Sequence, residues 1–539
     1  MDRRTILAIT ICFLIFAAWN EFYIKPHMPQ PQQQQSSSAG TVAQNTGAST
    51  SPVSPISMEP VKAAVAKGPS TPESAAPMSK TLQLSNGSVE VTNGEKMFTS
   101  WNLKSYRKGI LETDHAIDAK MVTHQDAVGS VAFDSPEYSY LNAVRGKMTE
   151  TPDGVTWTYE DQKIKLTRTV KASDKLPYLQ LLISAEFKDK KPTYAFVSMQ
   201  AGAKAEDLDL PDRQLNYWNN KAIHRVTLDK NVELTEVPAP VTWVAATNRY
   251  FVMSMLPEPP TDTSAKAVLQ PMGEKTGQIS LVYPITTNSI QIPVKVFFGP
   301  KEINLLQSIH PTLEQTVDFG WFTLFAYPLI KIMKWFYDLC HNYGVAIILL
   351  TLLVKILTFP LTYKSMKSMK QVSKLQPQLQ KLRDKYKDDK EALNRETLNF
   401  MRSHGYNPMA GCLPILIQMP VFFALYRVLY SSIELYHAPF YFWIKDLSEK
   451  DPYYITPVLL TAIMYIQQKM TPATTTDPAQ AKMLQFMPVI FGVFMLTLPS
   501  GLTIYMLVNA LAGIVQQIFL NKKLDMGGVG TPAVEARAR

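Results

Sequence analysis

The 539-residue sequence predicts a multi-domain membrane protein: an α-helical bundle of six transmembrane spans, a large exported β-sandwich and a cytoplasmic helical hairpin. Three observations predict it. Apolar runs of bilayer-crossing length lie at the N-terminus and throughout the C-terminal half. Between them, residues 79–308 change to short alternating runs bounded by Asn-Gly, Asp-Gly and Pro. Basic residues crowd particular ends of the apolar runs. The composition agrees, with 46% hydrophobic but only 18% charged residues. The net charge of +9 is modest for this length, so its location matters more than its size.

The first element, 1–24, starts with Arg3 and Arg4 and continues as an apolar stretch. Cleavage signals need small residues at set positions. Phe16 or Ile15 stands upstream of Ala17-Ala18, and Ile11 precedes Cys12. An uncleaved anchor is therefore expected. Residues 25–78 are rich in Pro, Gln, Ser, Ala and Thr and cannot bury enough apolar surface to offset chain ordering, so they read as a disordered linker. In 79–308, the runs 155–159, 163–170, 178–187, 249–256, 278–283 and 290–298 read as strands, with Asn86-Gly87, Asn93-Gly94 and Asp153-Gly154 as hairpin turns. His115, His124, His224 and His310 are scattered, and Cys12, Cys340 and Cys412 share no metal-ligand spacing. No catalytic residue, metal or cofactor is expected, and the β-domain reads as a scaffold or docking module.

Residues 309–338 are aromatic and amphipathic, with Trp321, Tyr327, Trp335 and Tyr337 interleaved with Lys331 and Lys334, as suits an interfacial helix. The expected spans follow at 339–362, 411–432, 454–470, 483–498 and 499–520, the last two divided by Pro499-Ser500-Gly501. Between Tyr363 and Ala410 stand eleven Lys or Arg against five Asp or Glu. The positive-inside rule places 363–410, the 471–482 loop, the 521–539 tail and both termini in the cytoplasm, and the 433–453 loop outside. Residues 363–410 read as a helical hairpin. Its Lys364, Lys367, Lys370, Lys374, Lys381, Arg383 and Lys385 suit anionic phospholipid and an incoming polypeptide.

A polar stripe crosses the second span: Thr351, Lys355, Thr358 and Thr362 share one helix face. Weaker stripes repeat at Thr461, Tyr465 and Gln468 and at Tyr505, Asn509, Gly513 and Gln516, with Gln418 in the third span. Isolated polar groups in membrane helices usually join neighbouring helices. Several stripes around one ammonium favour a shared wet recess. None of the five spans after the linker contains Asp or Glu, so Lys355 has no obvious intramembrane counter-ion. Burying it unpaired costs at least about 2.5–3.5 kcal/mol. It either snorkels to lipid phosphate or lines a recess open to the cytoplasm. A solute transporter or channel with a periplasmic binding domain is the alternative, weakened by the missing carboxylates. A membrane-anchored sugar-active enzyme is a third, more distant reading.

The segments DFGWFTLFAYPL, NYGVAIILLTLLVK, FPLTYKSMKSM, LQPQLQKLRDKYKDD, NPMAGCLPILIQMPVFFALYRVL and LPSGLTIYMLVNALAGIVQQ resemble the YidC/Oxa/Alb family of membrane protein insertases, across 318–520. The anchor, linker and β-domain are similar to the Gram-negative form in position only. The resemblance implies an insertase and chaperone of the inner membrane, acting alone or with the Sec translocon, whose core is the last five spans. It implies a hydrophilic groove closed outward, with one basic residue at the position of Lys355. Many members carry Arg there, and the ammonium keeps the charge without the bidentate fork. Implied partners are nascent membrane proteins and ribosome–nascent chain complexes, with no specific nucleic-acid binding, and a monomer as the working unit. The tail after Leu520 lacks the long basic extension of some relatives.

Overall fold

The computed structural model describes residues 78–526, apart from 95–96, 108–115, 119–127, 143, 202–212, 220, 229–233, 259–263, 274–275, 387–388, 404–412 and 471–477. All of them belong to the compact unit Ala63–Arg539. The expected anchor, nearly all of the linker, Cys12, Cys412 and the tail beyond Met526 lie outside the described residues.

Tight hairpins build the β-domain. Asn86-Gly87 turns strand Ser79–Leu84 onto Gly87–Thr92, and Asp153-Gly154 turns Lys147–Thr151 onto Gly154–Glu160. A β-carbon at Gly87 would lie 2.0 Å from the Asn102 carbonyl oxygen, so the close approach of strand Phe98–Arg107 depends on glycine there. The eighteen strands form antiparallel sheets of nine, five and four. Each of the six expected runs lies in or overlaps a strand, as at Ile164–Ala172 and Tyr178–Phe187. The nine-stranded sheet runs from Ile223–Thr227 at one edge, through Phe251–Pro257, Ser289–Pro300 and Tyr178–Phe187, to Lys147–Thr151 at the other. Alternation decides what is buried. In Ile164–Ala172, Ile164, Leu166 and Val170 point inward while Lys165, Thr167 and Thr169 are half-exposed. One continuous core includes Trp101, Phe251, Tyr283 and Phe298, with Trp101 edge-on to Phe298 at 6.0 Å.

Arg168 breaks this pattern. It occupies an inward position of its strand, is only 5% exposed, and lays its guanidinium 4.4 Å from the ring centre of Trp157, its cross-strand neighbour. Among the described residues it makes no ion pair or hydrogen bond, and burial pushes its pKa down to about 10. The Trp157 indole N–H donates to the Asn93 carbonyl at 2.8 Å, so the aromatic partner is fixed.

Nine helices follow the strands among the described residues: α1 (Ile303–Ile309), α2 (Thr323–Cys340), α3 (Tyr343–Lys374), α4 (Gln376–Lys385), α5 (Lys390–Ser403), α6 (Leu413–Ser431), α7 (Ile455–Met470), α8 (Pro478–Met495) and α9 (Ser500–Met526). In α2, Ala326, Ile330 and Met333 are buried, while Leu324, Trp335 and Leu339 are exposed on the other side. Among the described residues, two helices are long and apolar enough to cross a membrane: α3 over Tyr343–Lys367 and α9 over Ser500–Lys522. α6, α7 and α8 have 19, 16 and 18 residues. α3 runs on for 32 residues to Lys374, because Pro360 is accommodated inside it and no further breaker comes before Pro377. The first basic arm is thus the continuation of the apolar helix. Leu375 then breaks the chain and Pro377 sits in the first turn of α4. The Asp389 carboxylate accepts the Glu391 and Ala392 N–H groups and caps α5.

Removing the Trp157 ring should cost about 3–5 kcal/mol, as for large core truncations. Arg168→Met should cost nothing or add about 1 kcal/mol, because an unpaired buried charge is replaced by apolar volume. Denaturation of the intact protein in detergent measures both. Equal losses would show that the guanidinium supports the core.

Candidate functional site

The site is built where α3, α7 and α9 meet. Gly513 on α9 leaves a notch: a β-carbon there would lie 2.7 Å from Gln467 Nε2 and 3.8 Å from Lys355 Nζ. The missing side chain lets an ammonium from α3 and an amide from α7 converge on one helix. Lys355 lies twelve residues after Tyr343, about 18 Å along the helix at 1.5 Å per residue. Among the described residues it makes no ion pair or hydrogen bond.

The threonines around it are partly self-satisfied. Thr351 donates to the Ile347 carbonyl at 2.6 Å, Thr358 to Val354 at 2.9 Å and Thr362 to Thr358 at 3.1 Å. Their remaining acceptor capacity faces outward from the helix. Thr351 is fully buried, whereas Lys355, Thr358 and Thr362 are half-buried, so the stripe opens toward the C-terminal end of α3. On α6, Gln418 lies against the hydroxyl of buried Tyr505. The Gln516 amide nitrogen is buried with no hydrogen-bond partner among the described residues, while the buried Gln418 amide is directed at the Tyr505 hydroxyl. Asn509 is half-buried on the same helix as Tyr505 and Gln516.

Not every polar stripe joins this place. Thr461 packs against Gly492 of α8, where a β-carbon would meet its Oγ1 at 2.0 Å. The Tyr465 hydroxyl accepts from Gln485 Nε2 at 3.2 Å. This face joins two helices. The next positions round, Gln467 and the buried Gln517, were not singled out by spacing. Gln517 donates to the Met470 carbonyl at the end of α7 at 2.8 Å. In the basic segment, Lys364, Lys367, Lys381 and Lys385 are exposed, and the side chains of Lys370, Lys374 and Arg383 lie outside the described residues.

The helix ends nearest the β-domain are tied to it. The Arg249 Nε–H donates to the Tyr430 carbonyl in the last turn of α6 at 2.7 Å, and its guanidinium stacks on the Tyr430 ring. Lys334 of α2 pairs with Glu434 at 2.7 Å. Asp318 faces Arg225 at 3.7 Å and accepts the Gly320 N–H. Burial works to raise its carboxyl, but Arg225, that N–H, Arg427 and Lys301 outweigh it and hold the pKa below the ordinary value.

Two apolar helices of bilayer-crossing length among the described residues, one carrying the half-buried Lys355, together with an antiparallel β-domain fit an integral membrane protein. The comparisons make the class specific. A family model described as the 60Kd inner membrane protein matches residues 335–527, and one for the YidC periplasmic domain matches 210–332. A membrane protein insertase YidC from Syntrophus aciditrophicus is 33% identical over 97% of this chain and 100% of its own length. Insertases YidC from Geotalea daltonii and Geotalea uraniireducens are 43% and 44% identical over 56% and 53% of this chain, which spans only 58% and 54% of their length. A solved structure of an active YidC insertase, with its first transmembrane domain resolved, aligns over 82% of this chain and 92% of that one at 20% identity and a TM-score of 0.36. The chain belongs to the YidC family of membrane protein insertases.

Two outcomes test this geometry. Gly492→Ala should destabilise the α7–α8 contact by about 1–3 kcal/mol despite its better helix propensity, and Thr461→Ala should recover most of that in thermal melts. The Asp318 carboxyl, lowered on folding, stabilises above its unfolded pKa and stops doing so as pH falls through its folded value. Hydrogen exchange around 318–320 should therefore rise below about pH 4, and Asp318→Asn should abolish that dependence.

Proposed function

We propose that this protein is a membrane protein insertase and chaperone that inserts nascent inner-membrane proteins through a hydrophilic groove open to the cytoplasm. The observation that carries the reading is Lys355, held unpaired beside Gly513 and Gln467 within the helical core. An unpaired ammonium at such depth costs at least about 2.5–3.5 kcal/mol. Water or a transient anionic partner relieves that cost. The buried Gln516 amide, without a partner among the described residues, supports the same hydrated lining.

The mechanism follows from charge and polarity. An acidic or polar segment of a client enters from the cytoplasm and exchanges water for Lys355, Thr358, Thr362, Asn509 and the glutamine amides. The shortened apolar path lowers its crossing barrier, and the client's apolar helix passes into lipid beside the groove. Nothing is cleaved or transferred. Six spans, with both termini and the 363–410 hairpin in the cytoplasm and the β-domain in the periplasm, are the topology in which the exposed lysines meet anionic phospholipid and ribosome–nascent chain complexes. The protein works as a monomer, alone or beside the Sec translocon. The other positions of the groove are Thr351 and Tyr505 at its outer end.

Lys355→Arg should retain insertion. Lys355→Ala should slow insertion of clients with acidic translocated segments by about tenfold, the worth of one charge-assisted hydrogen bond. A photoreactive residue at 358, 362 or 509 should cross-link to a stalled client. Full insertion by the alanine variant, with no cross-links, would remove the groove from the mechanism.

A further inference from the structure

We propose that the connection from α6 to α7, residues 432–454, is the outward seal of the groove, latched by Phe440 in a notch left by Gly344 and seated on the first turn of α9. The inference rests on the groove reading above and assigns the residues that close its outer end.

The connection is a self-supporting unit. The Asp446 carboxylate, only 9% exposed, accepts the His437 N–H at 3.2 Å and both the N–H and hydroxyl of Ser448 at 2.7 Å. Asp451, 2% exposed, accepts the Trp443 indole N–H at 3.0 Å and the Thr456 N–H and hydroxyl at 2.8 Å, so it also caps α7. Backbone bonds from Phe440 to Ile444 and from Leu447 to Ala438 close the fold of the segment. His437, Phe442 and Tyr454 have φ of 55°, 59° and 56°, conformations that side chains adopt only when the surroundings impose them.

This unit sits over the start of both groove helices. The N–H groups of Ser500 and Gly501, two of the orphan donors of a helix start, donate to the carbonyls of Glu449 at 2.7 Å and Leu447 at 2.9 Å. The Ser500 hydroxyl donates to the Asp446 carbonyl at 2.7 Å. The Phe440 ring fills the space over Gly344 in the first turn of α3, where a β-carbon would lie 2.0 Å from its Cδ2. Leu435, Ile444 and Leu447 are buried in one apolar cluster with Leu502 of α9 and with Ile347, one turn before Thr351 on α3. Polar lining therefore gives way to buried, mostly apolar side chains directly beneath the connection. From the other side, the Tyr436 hydroxyl donates to the Arg107 carbonyl at 2.9 Å and its ring packs on Tyr250 and Phe251, so the β-domain holds the seal down.

The test uses protein with Cys12, Cys340 and Cys412 replaced by serine and a reporter Asn509→Cys, labelled from each face with a membrane-impermeant maleimide and no client present. In this parent, labelling should occur from the cytoplasmic face alone. Gly344→Leu should raise the external rate about tenfold, as overpacking of about 1–3 kcal/mol would. Gly344→Leu with Phe440→Ala, which returns the space, should restore the parent rate. A lock at Leu447→Cys and Gly501→Cys is available, because a β-carbon at 501 lies 3.5 Å from that of Leu447, within disulfide range. Oxidising it in the Gly344→Leu protein should suppress external labelling. Cytoplasmic labelling with an unchanged external rate, or external labelling that persists under the lock, overturns the seal alone. Labelling from neither face of the parent removes the aqueous groove, and the seal with it.

Discussion

The arrangement depends on an ammonium that no group among the described residues neutralises. Lys355 stands about 18 Å into an apolar helix, in a core whose spans carry no carboxylate, so folding leaves its desolvation cost uncompensated. A buried ion pair would have silenced the site. The neighbours fit that constraint. Gly513 gives up its side chain so that Lys355 and Gln467 reach the same point, and the threonines satisfy their own hydroxyl protons on the helix backbone. What remains is a positive charge among acceptors and an unpartnered amide donor, able to take water or a visiting polar segment.

The proposed groove, open on one side and shut on the other, needs holding contacts that do not run as a salt bridge through its middle. The holding contacts lie at the end near the β-domain, where Arg249 caps and stacks on the end of α6, Lys334 pairs with Glu434, and Asp318 gathers Arg225 and the Gly320 amide. Two buried aspartates, Asp446 and Asp451, organise the connection above the groove rather than facing Lys355. Acidic groups are thus present in the molecule and kept out of the polar stripe. The β-domain, whose sequence shows no chemical motif, has a mechanical place in this account as the base against which those contacts are braced.

Much of this was legible in the sequence, and the failures have physical causes. The apolar run of α3, its threonine–lysine stripe, the break before Ser500 and the Asn-Gly and Asp-Gly hairpins follow from periodicity and turn chemistry, and the structure has them. Helical spacing states which residues share a face but not which neighbour that face meets. Thr461 and Tyr465 share a face and meet α8, while Gln467 reaches the Gly513 notch that Lys355 also approaches. The change from apolar to basic marks the expected end of the span and not of the helix, which continues to Lys374 because polarity does not stop a helix and the next breaker is Pro377. Gly513, Gly344 and Gly492 carry information only as absent side chains, which no composition pattern exposes. Arg168 carries no signal in the sequence that it lies inside the β-domain, which only its inward register and its Trp157 neighbour reveal.

The central claim is that the sign of the charge at 355 selects what the groove receives. Charge exchange measures it most directly: Lys355→Glu assayed for insertion of one client whose translocated segment is acidic and of the same client with those positions changed to lysine. The account predicts that the variant fails with the acidic client and recovers insertion of the basic one, the reverse of the parent's preference. If Lys355→Glu inserts both at the parent's rates, the charge is a bystander and the groove does not work by attraction.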